Sequence, residues 1–244
     1  ASDDDLIAFD REVLPIVRAA MPNKLVLFEP NAVRNVVGRS PIATDSIGAG
    51  TVYAPHVYTL AFNGSTEEKE AVTKDQLDPS NASARDEADG FRAPLVITEF
   101  GFDSTVSSFA NYIRWQYELQ DQYLASSFYW VWKEYGTWGF YDIDASGNAT
   151  ERPAVFAAHA RVRLEAVAGR LVSVGYDSDA KRFEAVFVGD PNVTAPNLVS
   201  VGQTPGFANA KATCDGNEVA IGTGNPLSIP CNGSSTHTIV VTPQ

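Results

Sequence analysis

Several residue types that mark particular protein classes are scarce in this chain. Only two of its 244 residues are cysteine and three are histidine. His56, His159 and His237 lie far apart, and both cysteines, Cys214 and Cys231, fall near the C-terminus. No Cys/His spacing of the zinc-binding kind can be read from them, so catalytic zinc is not expected; nothing else in the chain calls for a metal or an organic cofactor. Positive charge is also short: 18 lysines and arginines stand against 30 aspartates and glutamates, a net charge of -12. So acidic a chain offers no patch to neutralise phosphates, which argues against nucleic acid as a partner. No apolar run reaches the 18 residues that would suggest a membrane span. No signal peptide stands at Ala1, although a secreted protein would have lost one. Repeats and low-complexity tracts are missing as well. The 44% hydrophobic content suffices for one large core or two modest ones.

The stretch that carries most information is Leu95-Val96-Ile97-Thr98-Glu99-Phe100-Gly101-Phe102-Asp103. A short apolar run between Pro94 and Gly101 reads as a buried parallel strand. It places Glu99 at the strand's C-terminal end, where parallel α/β folds gather their chemistry. A carboxylate there costs several kcal/mol to desolvate unless partners compensate, so stability does not explain it. Upstream, Val52-Tyr53-Ala54-Pro55-His56-Val57-Tyr58 reads as a strand with His56 and Tyr58 two apart, hence on one face. A tyrosine hydroxyl there can donate to the carboxylate, and the histidine can bind a sugar hydroxyl. Downstream, Ser127 to Glu134 reads as a third strand, with Trp130 and Trp132 on a shared face.

This order of His-x-Tyr, Thr-Glu-Phe-Gly and Trp-x-Trp resembles the second half of a retaining glycoside hydrolase of family 5, clan A. The resemblance covers residues 1 to about 169. The endoglycoceramidases and their bacterial homologues are similar in one further respect, since they also carry a β-domain after the barrel. The resemblance implies that Glu99 is the nucleophile at the end of barrel strand seven. It puts His56 and Tyr58 at the end of strand six, and Trp130 at the end of strand eight as the floor of the sugar site. Trp138, in a loop with Tyr141 and Asp142, suits a substrate platform. Glu29-Pro30 is read as a rim carboxylate or as the acid/base. The family's acid/base lies in Asn-Glu-Pro, and Phe28 replaces that asparagine.

The expected fold class is α/β: the second half of a TIM (β/α)8 barrel followed by a small all-β sandwich. The boundaries are 1–169 for the half-barrel and 170–244 for the sandwich. A helix runs from Leu6 to Met21 with Pro15 as a potential kink. A strand follows at Lys24 to Pro30, and a loop over 31–50 offers Asn31, Arg34 and Asn35 to the cleft. Residues 62–92 are polar, with a helical patch at Glu67 to Leu77, and read as an active-site flap. Ser104 is a candidate N-cap for a helix over 106–123. A last helix is expected over 152–168, with His159 structural. Leu171 to Tyr176 and Arg182 to Val188 then form a hairpin. Cys214 and Cys231 are expected to be bridged.

The function that follows is retaining β-glycosidase chemistry, with endoglycoceramidase-like hydrolysis of the glycan–ceramide bond of glycosphingolipids implied by the resemblance. The alternatives are a β-glucosidase or endoglucanase without lipid preference, and a non-catalytic carbohydrate-binding protein on a decayed barrel. A secreted location is expected. An eight-stranded barrel takes about 250 residues, and only four barrel strands are recognisable. The chain therefore reads as the C-terminal part of a longer enzyme. A second chain is expected to supply the N-terminal half-barrel and the acid/base glutamate.

Overall fold

The computed structural model describes residues 3–40, 45–133 and 136–244. The chain divides into two compact units, Ala1–Ala158 and His159–Gln244.

The first unit opens with helix α1 (Asp3–Ala20), which continues through Pro15. Strand β1 (Val26–Phe28) and the short helix α2 (Arg34–Val37) follow, then strands β2 (Thr51–Tyr53) and β3 (His56–Val57). Next come helices α3 (Thr66–Glu70) and α4 (Lys74–Phe91), strand β4 (Val96–Phe100), helix α5 (Phe109–Gln122) and strand β5 (Ser126–Tyr129). A small antiparallel hairpin, β6 (Tyr141–Ile143) and β7 (Ala149–Glu151), precedes helix α6 (Pro153–His159). β1 pairs in parallel with β2, and β3, β4 and β5 form a parallel sheet with β4 in the middle. A parallel bridge from Tyr53 to Leu95 continues the run from β2 to the β4 segment. Phe28, Tyr53, Phe91 and Leu95 share one core; Val57, Leu77, Ile97, Phe100, Tyr112 and Ile113 share the next. Each such side chain, fully buried, contributes about 1.5–3 kcal/mol.

Several expectations need correction. Residues 62–92 are not a polar flap: 18 of them form α4, capped at Thr73 by a reciprocal Thr73–Gln76 box. Its buried positions include Leu77, Ser80, Asn81, Ala84, Glu87, Ala88 and Phe91, at helical spacing. Three of those are polar, so an apolar stripe is not visible in the sequence. Asn81 instead donates to Gln116 Oε1 of α5 at 3.1 Å, a polar contact in place of an apolar one. Helix α5 begins after Ser108 rather than after Ser104, whose hydroxyl donates to the Thr137 carbonyl. The expected helix over 152–168 ends at His159. Val162-Arg163-Leu164-Glu165 alternates apolar and charged residues and becomes a strand instead.

That strand is β8 (Arg163–Ala166), the first of the second unit. It is followed by β9 (Gly169–Asp177), β10 (Arg182–Gly189), β11 (Asn197–Ser200), β12 (Ala210–Cys214), β13 (Asn217–Val219), β14 (Leu227–Ile229) and β15 (Thr236–Pro243). One sheet has the order β13-β12-β15-β10-β9 and the other β14-β11-β8, with every pair antiparallel. Phe183, Phe187, Ile239 and Val241 from the first sheet and Val199 and Ile229 from the second are wholly buried in one shared core. β10 and β15 alternate buried and half-buried residues, which is the pattern of a sheet with one covered face. Cys214 and Cys231 are joined by a disulfide. Among the described residues no helix is long and apolar enough to cross a membrane.

Candidate active site

Strand register puts the first two functional side chains side by side. His56 on β3 and Glu99 on β4 are direct neighbours in the parallel ladder, so their side chains leave the sheet on the same side. His56 Nδ1 lies 3.2 Å from Glu99 Oε2, and His56 Nε2 lies 3.5 Å from Glu29 Oε1. The imidazole thus stands between two carboxylates. Asn35 Nδ2 also reaches His56 Nδ1 at 3.3 Å, so that nitrogen either accepts from the amide or carries a proton toward Glu99, according to its tautomer. Tyr58, just past β3, donates its hydroxyl to Glu99 Oε2 at 2.8 Å. Burial, with the hydrogen bond to Glu99 next, pushes the Tyr58 phenol far above its ordinary range. Tyr58 is therefore a neutral donor at any working pH.

Glycine at position 101 is demanded by packing rather than by backbone dihedrals. A Cβ there would fall 2.2 Å from the Trp130 carbonyl oxygen. The Trp130 N–H donates to the Phe100 carbonyl at 2.8 Å, so the ends of β4 and β5 are drawn together at this point. β5 ends at Tyr129, which corrects the reading of Ser127 to Glu134 as strand. Trp130 and Trp132 lie beyond it, and strand alternation does not govern them. Trp130 is 38% exposed. Trp132 packs on Phe140 and Tyr141, at ring distances of 5.2 and 5.7 Å. Trp138 stands next to Tyr58, with ring centroids 6.0 Å apart. It stacks on Phe62 at 5.3 Å and 19°. Phe62, which is 56% exposed and 4.5 Å from the Tyr58 ring, carries no signal in the sequence beyond being an apolar residue in a polar loop. Asp142 lies on β6 and pairs with Arg152 rather than with the cluster around Glu99.

Behind these groups lies a buried ionic network that sequence reasoning misassigned. Arg34, expected to line the cleft, is 2% exposed. Its Nε donates to Glu87 Oε2 at 2.8 Å, and its terminal nitrogens donate to the His56 and Ser80 carbonyls, each at 3.0 Å. Glu87 further accepts from the Tyr53 hydroxyl, from Ser83 Oγ at 2.6 Å and from the Ser40 N–H at 2.8 Å. Burial first, then the charge of Glu87, pushes the Tyr53 phenol well above its usual range. Arg34 thereby ties α2, α4 and the backbone of His56 together. Beside it, a cleft of about 560 Å³ is lined by the polar groups of Asn35, Arg39, Thr59, Asn63, Gln76 and Asp86.

Two carboxylates, a histidine, a hydroxyl donor and exposed aromatic rings on the ends of parallel strands make a site suited to a polyhydroxylated substrate. The family model "Cellulase (glycosyl hydrolase family 5)" matches residues 3–136. The chain belongs to glycosyl hydrolase family 5. Among solved structures, this family 5 chain is similar to endo-glycoceramidase II from Rhodococcus sp. in a complex with a cellobiose-like isofagomine. The TM-score is 0.79 at 22% identity, covering 98% of this chain and 54% of that one. The same enzyme in its ganglioside GM3 complex gives 0.78 at 21% identity, with coverages of 98% and 54%. Sterylglucosidase 1 from Cryptococcus neoformans, with tris, gives 0.58 at 11% identity, with coverages of 93% and 42%. The chain thus spans about half the length of the endo-glycoceramidase structures it matches. No curated protein sequence matches it. The structural likenesses extend the shared fold over nearly the whole chain.

Proposed function

We propose that this chain carries the nucleophile side of the active site of a retaining β-glycosidase, with Glu99 as nucleophile. The observation that carries the reading is the donation from Tyr58 to Glu99 at 2.8 Å beside His56. Glu99 attacks the anomeric carbon and expels the aglycone oxygen, which takes a proton from a second carboxyl. Water activated by that same carboxyl then releases the sugar. Tyr58 aims the attacking oxygen, His56 bridges toward Glu29 at the rim, and Trp130 and Trp138 offer ring faces to the sugar. The aglycone is the lipid of a glycosphingolipid. Support comes from the likeness to a structure named endo-glycoceramidase II that holds ganglioside GM3. The exposed rings of Phe62 and Trp130 add apolar surface, and the polar cleft beside Asn35 gives an extended glycan amides and hydroxyls to bind. The protein acts outside the cell.

The fold proposed for the whole enzyme is a closed (β/α)8 barrel, of which the first unit supplies the second half, with a β-sandwich as the second unit. Among the described residues, neither β1 nor β5 pairs along its outer edge. Leu25 and Leu27 at one edge and Phe128 at the other are 67%, 47% and 62% exposed. Open strand edges flanked by apolar side chains are costly and call for a partner. The partner that fits is an N-terminal half-barrel, on a second polypeptide, that brings the acid/base glutamate. The test is treatment of the assembled enzyme with a mechanism-based 2-deoxy-2-fluoro-glycoside, followed by peptide mass spectrometry. The label is expected on Glu99, and Glu99→Gln is expected to abolish both labelling and turnover. A label on another carboxylate, or a Glu99→Gln enzyme of near wild-type rate, overturns the assignment. Glycosphingolipid against cello-oligosaccharide turnover decides the aglycone.

A further inference from the structure

The sequence spacing shows no metal-ligand cluster, yet the fold of the second unit builds a group of four donors. Cys214 ends β12, Asp215 follows it in the turn to β13, Cys231 lies just past β14, and His237 is on β15. One ligand atom from each lies within 4.8 Å of all the others. Cys231 and His237 are buried. The cluster joins elements of both sheets, because β14 belongs to one and β12 and β15 to the other. With the disulfide closed, the two sulfurs are spent on each other. His237 Nδ1 then pairs with Asp215 Oδ2 at 2.8 Å.

We propose that reduction of the Cys214–Cys231 disulfide converts this cluster into a tetrahedral zinc site with Cys214, Cys231, His237 and Asp215 as ligands. A dithiol reductant supplies two electrons and two protons. The S–S bond breaks, two thiols form, and the dithiol becomes its own disulfide. Zinc then displaces the two thiol protons and binds the thiolates, one ring nitrogen and one carboxylate oxygen. With Zn–S about 2.3 Å and Zn–N and Zn–O about 2.0–2.1 Å, neighbouring ligand atoms of such a site sit roughly 3.3–3.8 Å apart. Cys214 Sγ and Asp215 Oδ2 already stand 3.8 Å apart. The His237–Asp215 contact opens by about half an ångström, and the freed sulfurs rotate apart about their Cα–Cβ bonds to make room for the ion.

The outer shell needed to hold such ligands is also in place. The Thr238 N–H donates to Asp215 Oδ1 at 2.8 Å, and Ser235 Oγ sits 3.2 Å from His237 Nε2. These contacts orient the carboxylate and the ring while leaving Asp215 Oδ2 and His237 Nδ1 for the metal. Because zinc binds only the reduced form, it pulls the thiol–disulfide equilibrium toward the thiols. The two sheets then stay cross-linked under oxidising and reducing conditions alike, by sulfur in one case and by metal in the other.

The experiment uses the 244-residue chain, reduced by a non-chelating phosphine under native conditions and titrated with cobalt(II) chloride and then with zinc. One cobalt per reduced chain is expected, with the visible bands of a tetrahedral ion and a thiolate charge-transfer band that zinc abolishes. The disulfide form is expected to show neither. His237→Gln and Asp215→Asn should each weaken zinc affinity at least tenfold. Cys214→Ser with Cys231→Ser should bind no cobalt. The idea fails if the reduced chain takes up no metal, or if the two ligand variants bind as tightly as the parent. Circular dichroism covers the case in which reduction loosens the β-unit. Zinc must then restore the spectrum, and failure to do so refutes the site equally.

Discussion

Glu87→Gln is the sharpest test of how the site is held, because the change removes one charge and almost no volume. In the native chain the two carboxylate oxygens of Glu87 take four donors. Oε2 serves Arg34 and Tyr53, and Oε1 serves Ser83 and Ser40. A carboxamide has a single acceptor oxygen, so its NH2 group must face two donors. A donor left without its acceptor costs about 1–3 kcal/mol, and the Arg34 guanidinium, 1% exposed, loses its counter-charge. Breaking a buried pair at one partner costs about 3–5 kcal/mol, and that range is the expected loss. For a unit of this size it lowers the thermal midpoint by roughly 6–20 °C. The assay is urea unfolding followed by tryptophan fluorescence. Trp115, Trp130, Trp132 and Trp138 are all four of the chain's tryptophans and all lie in the first unit, so the signal is blind to the second. In a double-mutant cycle with Arg34→Met, the coupling should exceed about 1 kcal/mol. A Glu87→Gln loss below about 1 kcal/mol, or strict additivity with Arg34→Met, would mean that the network does not hold α2 to the His56 backbone.

Three more outcomes follow from single contacts. Tyr58→Phe removes the 2.8 Å donation to Glu99. A hydrogen bond to a charged group is worth about 1.5–3 kcal/mol, so kcat/KM of the assembled enzyme on an activated aryl glycoside should drop roughly 10- to 150-fold; a change under about twofold shows that Tyr58 does not act on Glu99. Gly101→Ala drives a methyl into the Trp130 carbonyl, and the forced backbone shift should cost about 1–3 kcal/mol in the same fluorescence titration; an unaltered midpoint contradicts the close approach. The hydrogen bond from His237, and then the Thr238 N–H, hold the Asp215 carboxyl below the usual carboxylate range. Its contribution to the second unit is therefore complete above the unfolded-state value near 4 and is lost as pH falls through the lower folded value. Asp215→Asn should flatten that acid limb, followed by far-ultraviolet circular dichroism, and an unchanged limb removes Asp215 from the account.

What could be read from the amino-acid order alone was whatever depends on neighbours in the chain. The run from Leu95 to Phe100 is apolar and bounded by proline and glycine, so strand β4 and the place of Glu99 on it are local facts. His56 and Tyr58 are two apart, and the alternation in Arg182 to Val188 is likewise local. These suffice for the family. Helix α4 escaped notice because its buried stripe includes Ser80, Asn81 and Glu87. Polar groups enter a core only when partners far away in sequence satisfy them, and those partners are Arg34, Tyr53 and Gln116. The place of Arg34 is hidden for the same kind of reason: burial is a property of what folds over a residue, not of the residue.

Gly101 shows the division in one position. Its place after Glu99 is legible as punctuation at the end of a strand, but the reason no larger residue fits is the Trp130 carbonyl, drawn against it from the next strand. The cysteines show it in another. Their presence and spacing suggest a staple. That Asp215 and His237 stand within 4.8 Å of both sulfurs depends on how β12, β14 and β15 come together across two sheets. Short-range backbone preference and hydrophobic periodicity are written along the chain. Ion pairs, close backbone approaches and ligand clusters join residues tens of positions apart, so only the packed tertiary structure decides them.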